Sequence, residues 1–253
     1  IIKYSAEGEV EWARSVGGSS TEQINSVAST SDGGVIAGGY FLSDEIQVGE
    51  YTLTNSGNSD GMIIKYSAEG EVEWARSVGG GNSDYINSVA ETSDGGVIAG
   101  GYFQSRSIQV GEYTLTNSGS YDGMLIKYTE KELVNVDITK AEGIGGNIYD
   151  YIYSVAETSD GGYIAGGYFK SSSIQVGDYT LTNSSSFTNY TDGMIIKYSA
   201  EGEVEWARSV GGRYDEQIKS VAETSDGGYI AGGRFGSSSI QVGDYTLTNS
   251  SSS

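Results

Sequence analysis

Residues 63–103 read IIKYSAEGEVEWARSVGGGNSDYINSVAETSDGGVIAGGYF, and most of this stretch recurs along the chain. Its first 18 residues return without change at residues 1–18 and 195–212, and a diverged copy begins at Leu125. The repeat units therefore start near residues 1, 63, 125 and 195. A fixed period of tens of residues indicates a repeat architecture, because each unit is then one supersecondary building block.

Each unit contains short segments rich in Val, Ile, Tyr and Thr, separated by Gly, Asn, Asp and Ser, which is typical of strands and tight turns. Residues 62–66 and 72–78 predict one hairpin around an AEG turn. Residues 86–91 and 97–103 predict a second hairpin around an SDGG turn. Residues 108–116 predict a smaller additional element of one or two strands.

Two hairpins per unit make a four-stranded antiparallel sheet, and radial repetition of such sheets gives a β-propeller. We therefore predict an all-β fold, a β-propeller of four-stranded antiparallel blades that forms one domain over residues 1–253. A solenoid is the alternative architecture, but units of about 62 residues are long for a solenoid coil. Because the chain starts in mid-repeat without Met, we expect it to be a segment of a larger protein.

The chain resembles the bacterial secreted β-propeller repeats, also called SBBP or seven-bladed-propeller-type repeats. The resemblance covers nearly the whole chain and rests on DGMIIKY, on AEG followed by EVEWARSVGG, on SVAETSDGGVIAGGYF and on IQVGEYTLTN. It implies a bacterial module that is extracellular or on the cell surface, with no shared catalytic residues. It also implies that SVAET forms the innermost strand of a blade and EVEWARSV the outermost.

With that strand order the chain begins with outer strands and ends after inner ones. Residues 1–16 are then expected to complete the blade begun by residues 218–235, which would close a ring of four blades. The alternative is an arc of a larger propeller.

The charge balance narrows the classes of partner. The chain has 14 basic and 34 acidic residues and a net charge of −20, which repels nucleic acid and anionic membranes. No apolar run approaches the roughly 20 residues of a membrane span, so membrane insertion is not expected. Protein ligands with basic patches, neutral glycans and cations remain as partners, and an acidic surface also serves solubility. The sequence leaves the oligomeric state open.

The chain has no Cys and no His. This excludes thiolate chemistry, Ser-His nucleophile systems and most zinc sites. The near-identity of the units also argues against an enzyme, because an active site needs residues in different roles. We expect a non-enzymatic binding or adhesion scaffold, or a structural spacer. The alternative is a glycoside hydrolase or lyase that uses carboxylates on a propeller face.

The units differ mainly in a few loops, at residues 19–23, 81–85, 147–151, 187–190 and 213–217. Loops on a rigid scaffold are where binding specificity usually resides. The candidate ligand-binding residues in these loops are Glu22, Tyr85, Tyr149, Tyr151, Arg213 and Tyr214.

Every unit also carries a carboxylate five residues before the Val of its SVA segment. In a closed ring these four acids could point toward one mouth of the channel and bind Ca²⁺ or Mg²⁺. The alternative is that each acid caps its own loop. The predicted metal ligands are Glu22, Asp84, Asp150 and Glu216.

One aromatic recurs on the predicted outermost strand, as Trp12, Trp74 and Trp206, while Val136 stands at this spacing in the third unit. A tryptophan at the same place in three units suits packing between sheets. Sugar stacking on these rings is the alternative.

Overall fold

The computed structural model describes residues 1–131, 135–185 and 189–249, and all regular structure within them is β. Across these ranges, no helix of the length and apolar character needed to cross a membrane is found. The predicted all-β class is therefore confirmed. Of the variable loop at 187–190, residues 187 and 188 lie outside the described residues, as does the side chain of Val136.

The chain begins with a hairpin of two short strands, β1 (Ile2–Tyr4) and β2 (Val10–Ala13). The first four-stranded sheet, blade 1, follows in the order β3-β4-β7-β8. A two-strand hairpin, β5-β6, stands between its second and third strands. The strands are β3 (Glu22–Ser29), β4 (Val35–Phe41), β5 (Glu45–Val48), β6 (Tyr51–Thr54), β7 (Asp60–Tyr66) and β8 (Val72–Val78).

Blades 2 and 3 repeat this plan, and a half-blade of two strands with its own small hairpin follows them. Blade 2 has β9 (Asp84–Glu91), β10 (Val97–Phe103), β11 (Ser107–Val110), β12 (Tyr113–Thr116), β13 (Asp122–Lys131) and β14 (Asn135–Ile144). Blade 3 has β15 (Asp150–Glu157), β16 (Tyr163–Phe169), β17 (Ser173–Val176), β18 (Tyr179–Thr182), β19 (Asp192–Tyr198) and β20 (Val204–Val210). The half-blade has β21 (Glu216–Glu223), β22 (Tyr229–Phe235), β23 (Ser239–Val242) and β24 (Tyr245–Thr248).

The first strands of successive blades, β3, β9, β15 and β21, contact one another, as expected for the innermost strands. Each of them carries a bulge, which in β3 skips Asn25 between Ile24 and Ser26. The Asn25 side chain donates from Nδ2 to the Ile86 carbonyl of the next blade, at 2.8 Å. Asn87 makes the same bond to Ile152, so the bulge residue ties neighbouring blades together.

Glycines in the second strands let the blades approach closely. A Cβ built on Gly38 would lie 2.6 Å from Cγ1 of Val89, which is closer than real Cβ contacts come. The outer strands pack in a similar way, because the Trp74 ring lies against Tyr128 of the next blade with centroids 5.9 Å apart. Trp12 and Trp74 are buried, so the prediction that they pack between sheets is confirmed.

The described residues do not show the predicted closure of the ring by strand pairing within one chain. The hairpins β1-β2 and β21-β22 each form a separate two-stranded sheet. Trp12 holds the first hairpin against blade 1 by donating from Nε1 to the Ala68 carbonyl at 2.9 Å. The free edge of β22 lies at the opposite end of the series of blades, and its Ile230 is 60% exposed. The structure is therefore an array of blades that leaves both end faces open.

Candidate binding site

Tyrosines on the innermost hairpins form one continuous cluster across the three blades, which we call the tyrosine array. In blade 2, Tyr85 of β9 is the cross-strand partner of Tyr102 on β10. In blade 3, Tyr151 of β15 is the partner of Tyr168 on β16. Their ring centroids are 4.9 Å apart in both pairs. Cross-strand aromatic pairs of this kind stabilise a sheet and fix the rings in place.

The array continues from blade to blade. The Tyr40 ring of blade 1 lies edge-on to Tyr85 of blade 2, with centroids 4.7 Å apart. Tyr102 of blade 2 then meets Tyr151 of blade 3 at 4.3 Å. Edge-on arrangements at these distances are favourable because the positive ring edge faces the negative ring face.

Loops and the bulge add three more rings. Tyr121 and Tyr149 lie in adjacent loops joined by a parallel bridge, and their centroids are 5.4 Å apart. Tyr121 also stacks on Tyr151 at 5.6 Å. Tyr153 occupies the bulge position of β15 and lies 5.5 Å from Tyr168. The eight members of the array are Tyr40, Tyr85, Tyr102, Tyr121, Tyr149, Tyr151, Tyr153 and Tyr168.

The array ends at the half-blade. There Gln217 and Arg234 replace the cross-strand tyrosine pair, and Arg234 donates from Nε to Oε1 of Gln217 at 3.2 Å. The ammonium of Lys219 lies 3.4 Å from the centroid of Tyr153, in cation–π geometry. Lys170 lies over Tyr149 at 5.3 Å. Two cations therefore border the aromatic surface.

The rings are accessible to a ligand although the cluster is tight. Tyr149 is exposed, and the other seven members are half-buried. Burial, together with neighbouring phenols, raises the pKa of Tyr102 and Tyr151 above the usual range. These two phenols therefore stay neutral. The hydroxyl groups of the array can both donate and accept hydrogen bonds, while the ring faces offer apolar surface. Such a surface suits the apolar faces and hydroxyl groups of a sugar or a peptide.

Three of the predicted ligand-binding residues, Tyr85, Tyr149 and Tyr151, come together in this array. Arg213 and Tyr214 do not join it: Tyr214 packs edge-on against Tyr190 at 5.1 Å, with the Arg213 guanidinium 5.9 Å from the Tyr214 ring. Within the described ranges, no ring contact connects this pair to the array.

The four predicted metal ligands lie at the start of their innermost strands, where each caps its own loop. The Asp84 carboxylate accepts from Gly80 N at 2.8 Å and from Ser105 Oγ at 2.7 Å. The equivalent bonds are Asp150 to Gly146 N and Ser171 Oγ, Glu22 to Gly18 N and Ser43 Oγ, and Glu216 to Ser237 N. In the part of the chain that the structure describes, no three acidic side chains are arranged to hold a metal ion. Cation binding by these four residues stays a prediction.

A second carboxylate lies beside three of these four loop-capping side chains. Asp60 is buried, and its Oδ2 accepts from Ser56 N at 3.0 Å. Burial, with the nearby charge of Asp84, raises the Asp60 pKa to about 6. Asp122 beside Asp150 shows the same shift, to about 6. The Asp60–Asp84 and Asp122–Asp150 pairs are buried, so they give no support to the carboxylate hydrolase that the sequence leaves as an alternative.

Sequence reasoning missed five members of the array, Tyr40, Tyr102, Tyr121, Tyr153 and Tyr168. A signal was present in the motif GGYF, because Tyr40, Tyr102 and Tyr168 occupy its third position in three units. Along β10 this tyrosine is half-buried between buried neighbours, and its ring contacts Tyr151 of the next blade.

Comparisons with known proteins identify two curated relatives and a similar solved structure. No family model matches the chain. The uncharacterised WD repeat-containing protein L264 of Acanthamoeba polyphaga mimivirus is 28% identical over 143 residues, which cover 51% of this chain and 10% of that protein. The regulatory protein FlaEY of Caulobacter vibrioides is 24% identical over 259 residues, which cover 98% of this chain and 26% of that protein.

A solved protein of unknown function from Bacteroides caccae has a TM-score of 0.42 and 9% identity, covering 89% of this chain and 57% of that chain. The chain spans about a tenth and a quarter of the lengths of the two curated relatives. The repeated sheets and the similarity to a WD repeat-containing protein describe a β-propeller-like repeat protein. That the chain belongs specifically to the secreted SBBP repeats stays a prediction.

Proposed function

We propose that this chain is a non-enzymatic binding scaffold that presents the tyrosine array to a neutral glycan or to a protein ligand. The observation that carries the proposal is the unbroken ring-to-ring contact from Tyr40 through Tyr102 to Tyr168, with each of these rings half-buried. Aromatic residues fixed on rigid sheets bind with little loss of side-chain entropy, which favours recognition.

The chemistry of the surface supports a ligand without strong negative charge. The net charge of −20 repels acidic sugars, while the phenols of the array are neutral hydrogen-bonding groups. The name of one relative, a WD repeat-containing protein, accords with a scaffold built from repeated sheets. The resemblance to secreted repeats supports a location on the bacterial cell surface or outside the cell, which fractionation of the source cells would test.

The test is a screen of the chain on a glycan array and against surface proteins of its source, followed by calorimetry with the best binder. The double variant Tyr102→Ala, Tyr151→Ala removes the ring-to-ring contact of the array between blades 2 and 3. It should weaken binding about 5- to 150-fold, because stacking on two rings is worth about 1–3 kcal/mol in all. Tyr113→Ala, which deletes a ring of the same size from the β11-β12 hairpin, should leave affinity unchanged.

Equal affinity of the wild type and the double variant would remove the array as the binding surface. Turnover of any sugar in the same screen would overturn the non-enzymatic function. The folded state of each variant is checked by its thermal unfolding, so that loss of binding is not confused with loss of structure.

A further inference from the structure

The oxidisable side chains within reach of solvent are mostly tyrosines. The chain has no Cys, and its three methionines are fully buried. Trp12 and Trp74 are buried and Trp206 is half-buried. The sulfur atoms that are common targets of oxidants are therefore absent or out of reach, and an oxidant at this surface meets phenol rings instead. The methionines are Met62, Met124 and Met194.

The tyrosine array has one exposed member at which an oxidant can enter. Tyr149 is 36% exposed, and its ring lies beside Tyr121 with centroids 5.4 Å apart. Tyr121 in turn contacts Tyr151 at 5.6 Å and Tyr102 at 5.7 Å. Electrons pass readily between aromatic rings that are in contact. A radical formed on Tyr149 can therefore reach both Tyr102 and Tyr151 through the single ring of Tyr121.

Tyr102 and Tyr151 make the closest ring contact of the array. Their centroids are 4.3 Å apart, just below the range of about 4.5–7 Å that is usual for aromatic pairs. This distance is close to the centre-to-centre spacing of two phenyl rings joined by one carbon–carbon bond. The two ring planes meet at 64°, whereas Tyr85 and Tyr102 are stacked at 27°. A steeply inclined ring presents an edge carbon to its neighbour, and coupling of two phenols takes place through edge carbons.

The strands that carry these two rings are held firmly against each other. A Cβ built on Gly100, two residues before Tyr102, would lie 2.6 Å from Cγ2 of Ile152, the residue after Tyr151. The backbone of β10 therefore packs directly on the side chains of β15. Because both strands belong to rigid sheets, the two rings stay in contact without a conformational search, and such pre-positioning favours a reaction between them.

We propose that Tyr102 and Tyr151 form an oxidative cross-linking site, at which a one-electron oxidant joins the two rings as dityrosine, with Tyr149 as the point of entry. Hydrogen peroxide together with a haem peroxidase is an oxidant of this class. The reaction uses only groups of the array and the oxidant. It is therefore independent of the glycan or protein binding proposed above, and either function can fail without the other.

The chemical step balances as a two-electron oxidation. Each phenol gives up one electron and one proton, and the two phenoxyl radicals form a carbon–carbon bond between ring carbons ortho to the oxygens. The C–H bond at each of these carbons then breaks, and its hydrogen moves to the phenolic oxygen, which restores two phenols. Hydrogen peroxide takes up the two electrons and two protons, its O–O bond breaks, and it leaves as two water molecules.

The new bond ties blade 2 to blade 3 covalently, where hydrogen bonds such as that from Asn87 Nδ2 to the Ile152 carbonyl, at 2.9 Å, join them otherwise. A cross-link between residues 102 and 151 restricts the unfolded chain in the way that a disulfide does. The cross-linked chain should therefore unfold at a temperature several degrees above that of the untreated chain. An unchanged unfolding temperature would show that the bond does not tie the blades together.

Treatment of the 253-residue chain with hydrogen peroxide and a haem peroxidase tests the site. The expected product is a single chain that is lighter by two hydrogen atoms and shows dityrosine fluorescence. Trypsin should then release residues 77–106 joined to residues 141–170, since each range is one tryptic peptide. Fragmentation in the mass spectrometer should place the bond between Tyr102 and Tyr151. No joined peptides, or a bond between another pair of tyrosines, overturns the proposal.

Phenylalanine variants keep the rings and remove the phenol, so each should fold, which thermal unfolding checks. Tyr102→Phe should abolish the joined peptides. Tyr149→Phe removes the point of entry and should slow the reaction several-fold. The matched control Tyr214→Phe, whose tyrosine is 40% exposed and lies outside the array, should react as fast as the wild type. An equal rate for Tyr149→Phe and wild type, or an equal yield from the chain unfolded in urea, overturns the proposal.

Discussion

Tyr102 of blade 2 lies edge-on to Tyr151 of blade 3, with ring centroids 4.3 Å apart and ring planes at 64°. This contact crosses the boundary between two sheets whose sequences are close copies. It joins two cross-strand pairs into one surface, so a ligand that covers the boundary would touch both blades. The position of one tyrosine therefore depends on how the blades pack as well as on the strand that carries it.

Lys219 should stabilise the fold through the ring beneath it. Its ammonium lies 3.4 Å from the centroid of Tyr153, so Lys219→Met should lower the free energy of unfolding by about 0.5–1 kcal/mol. Lys170→Met, whose ammonium lies 5.3 Å from Tyr149, should have a smaller effect. Urea denaturation measures both variants. Equal stability of Lys219→Met and wild type would show that the cation–π contact contributes nothing.

The glycines of the second strands should not tolerate a methyl group where blades meet. A Cβ on Gly100 would lie 2.6 Å from Cγ2 of Ile152 and 2.7 Å from Cγ1 of Val155. Gly100→Ala should therefore cost about 1–3 kcal/mol of unfolding free energy, because the blades must separate. The control Gly81→Ala, with open space around the site, should be nearly neutral. If Gly100→Ala is equally neutral, the close packing of the blades is refuted.

The buried carboxyls should make the protein less stable above pH 6. Burial raises the pKa of Asp60 and of Asp122 to about 6, above the usual value of about 3.9 in an unfolded chain. The folded state therefore holds these protons more tightly, and the stability that they contribute is full below about pH 4 and is lost as the pH rises through 6. Each group should account for up to about 3 kcal/mol. The pKa of the Asp160 carboxyl is lowered to about 2, so this group titrates below the pH range in which Asp60 and Asp122 titrate. The main cause of the lowered pKa is the hydrogen bond from Thr158, followed by that from Lys197.

Asparagine at these positions removes the titration. Asp60→Asn and Asp122→Asn should therefore be more stable than wild type at pH 7.5, and the difference should disappear near pH 4. The exposed Asp178→Asn is the matched control and should follow the wild type throughout. Urea denaturation between pH 4 and 8 provides the measurement. Variants that are less stable than wild type at pH 7.5 would show that the carboxylates support the fold in their charged form.

Much of the fold was predictable because the chain repeats itself. The predicted strands at 72–78 and 97–103 agree with β8 and β10, and the SDGG turn joins β9 to β10 as expected. Closure of the ring was not predictable in this way. The sequence shows that the chain begins with outer strands and ends after inner strands, which match each other as two halves of a blade. The angle between successive blades decides whether these two halves meet within one chain.

The tyrosine array was predictable only in part. Tyr85, Tyr149 and Tyr151 stand out because they lie in the loops whose residues differ between the repeat units. Tyr102 occupies a position shared by three units and therefore resembles a packing residue. Only the cross-strand register and the contact between blades show that the shared and the variable tyrosines form one surface.

The most direct test of the array as the binding surface is fluorine NMR of the chain labelled with 3-fluorotyrosine, titrated with the best binder from the glycan and protein screen. The chain has 20 tyrosines, and single Tyr→Phe variants assign their resonances. We expect shifts confined to the eight rings of the array, with the resonances of Tyr51, Tyr113 and Tyr179 unchanged. Shifts at these three outer tyrosines without shifts in the array would contradict the proposed binding surface.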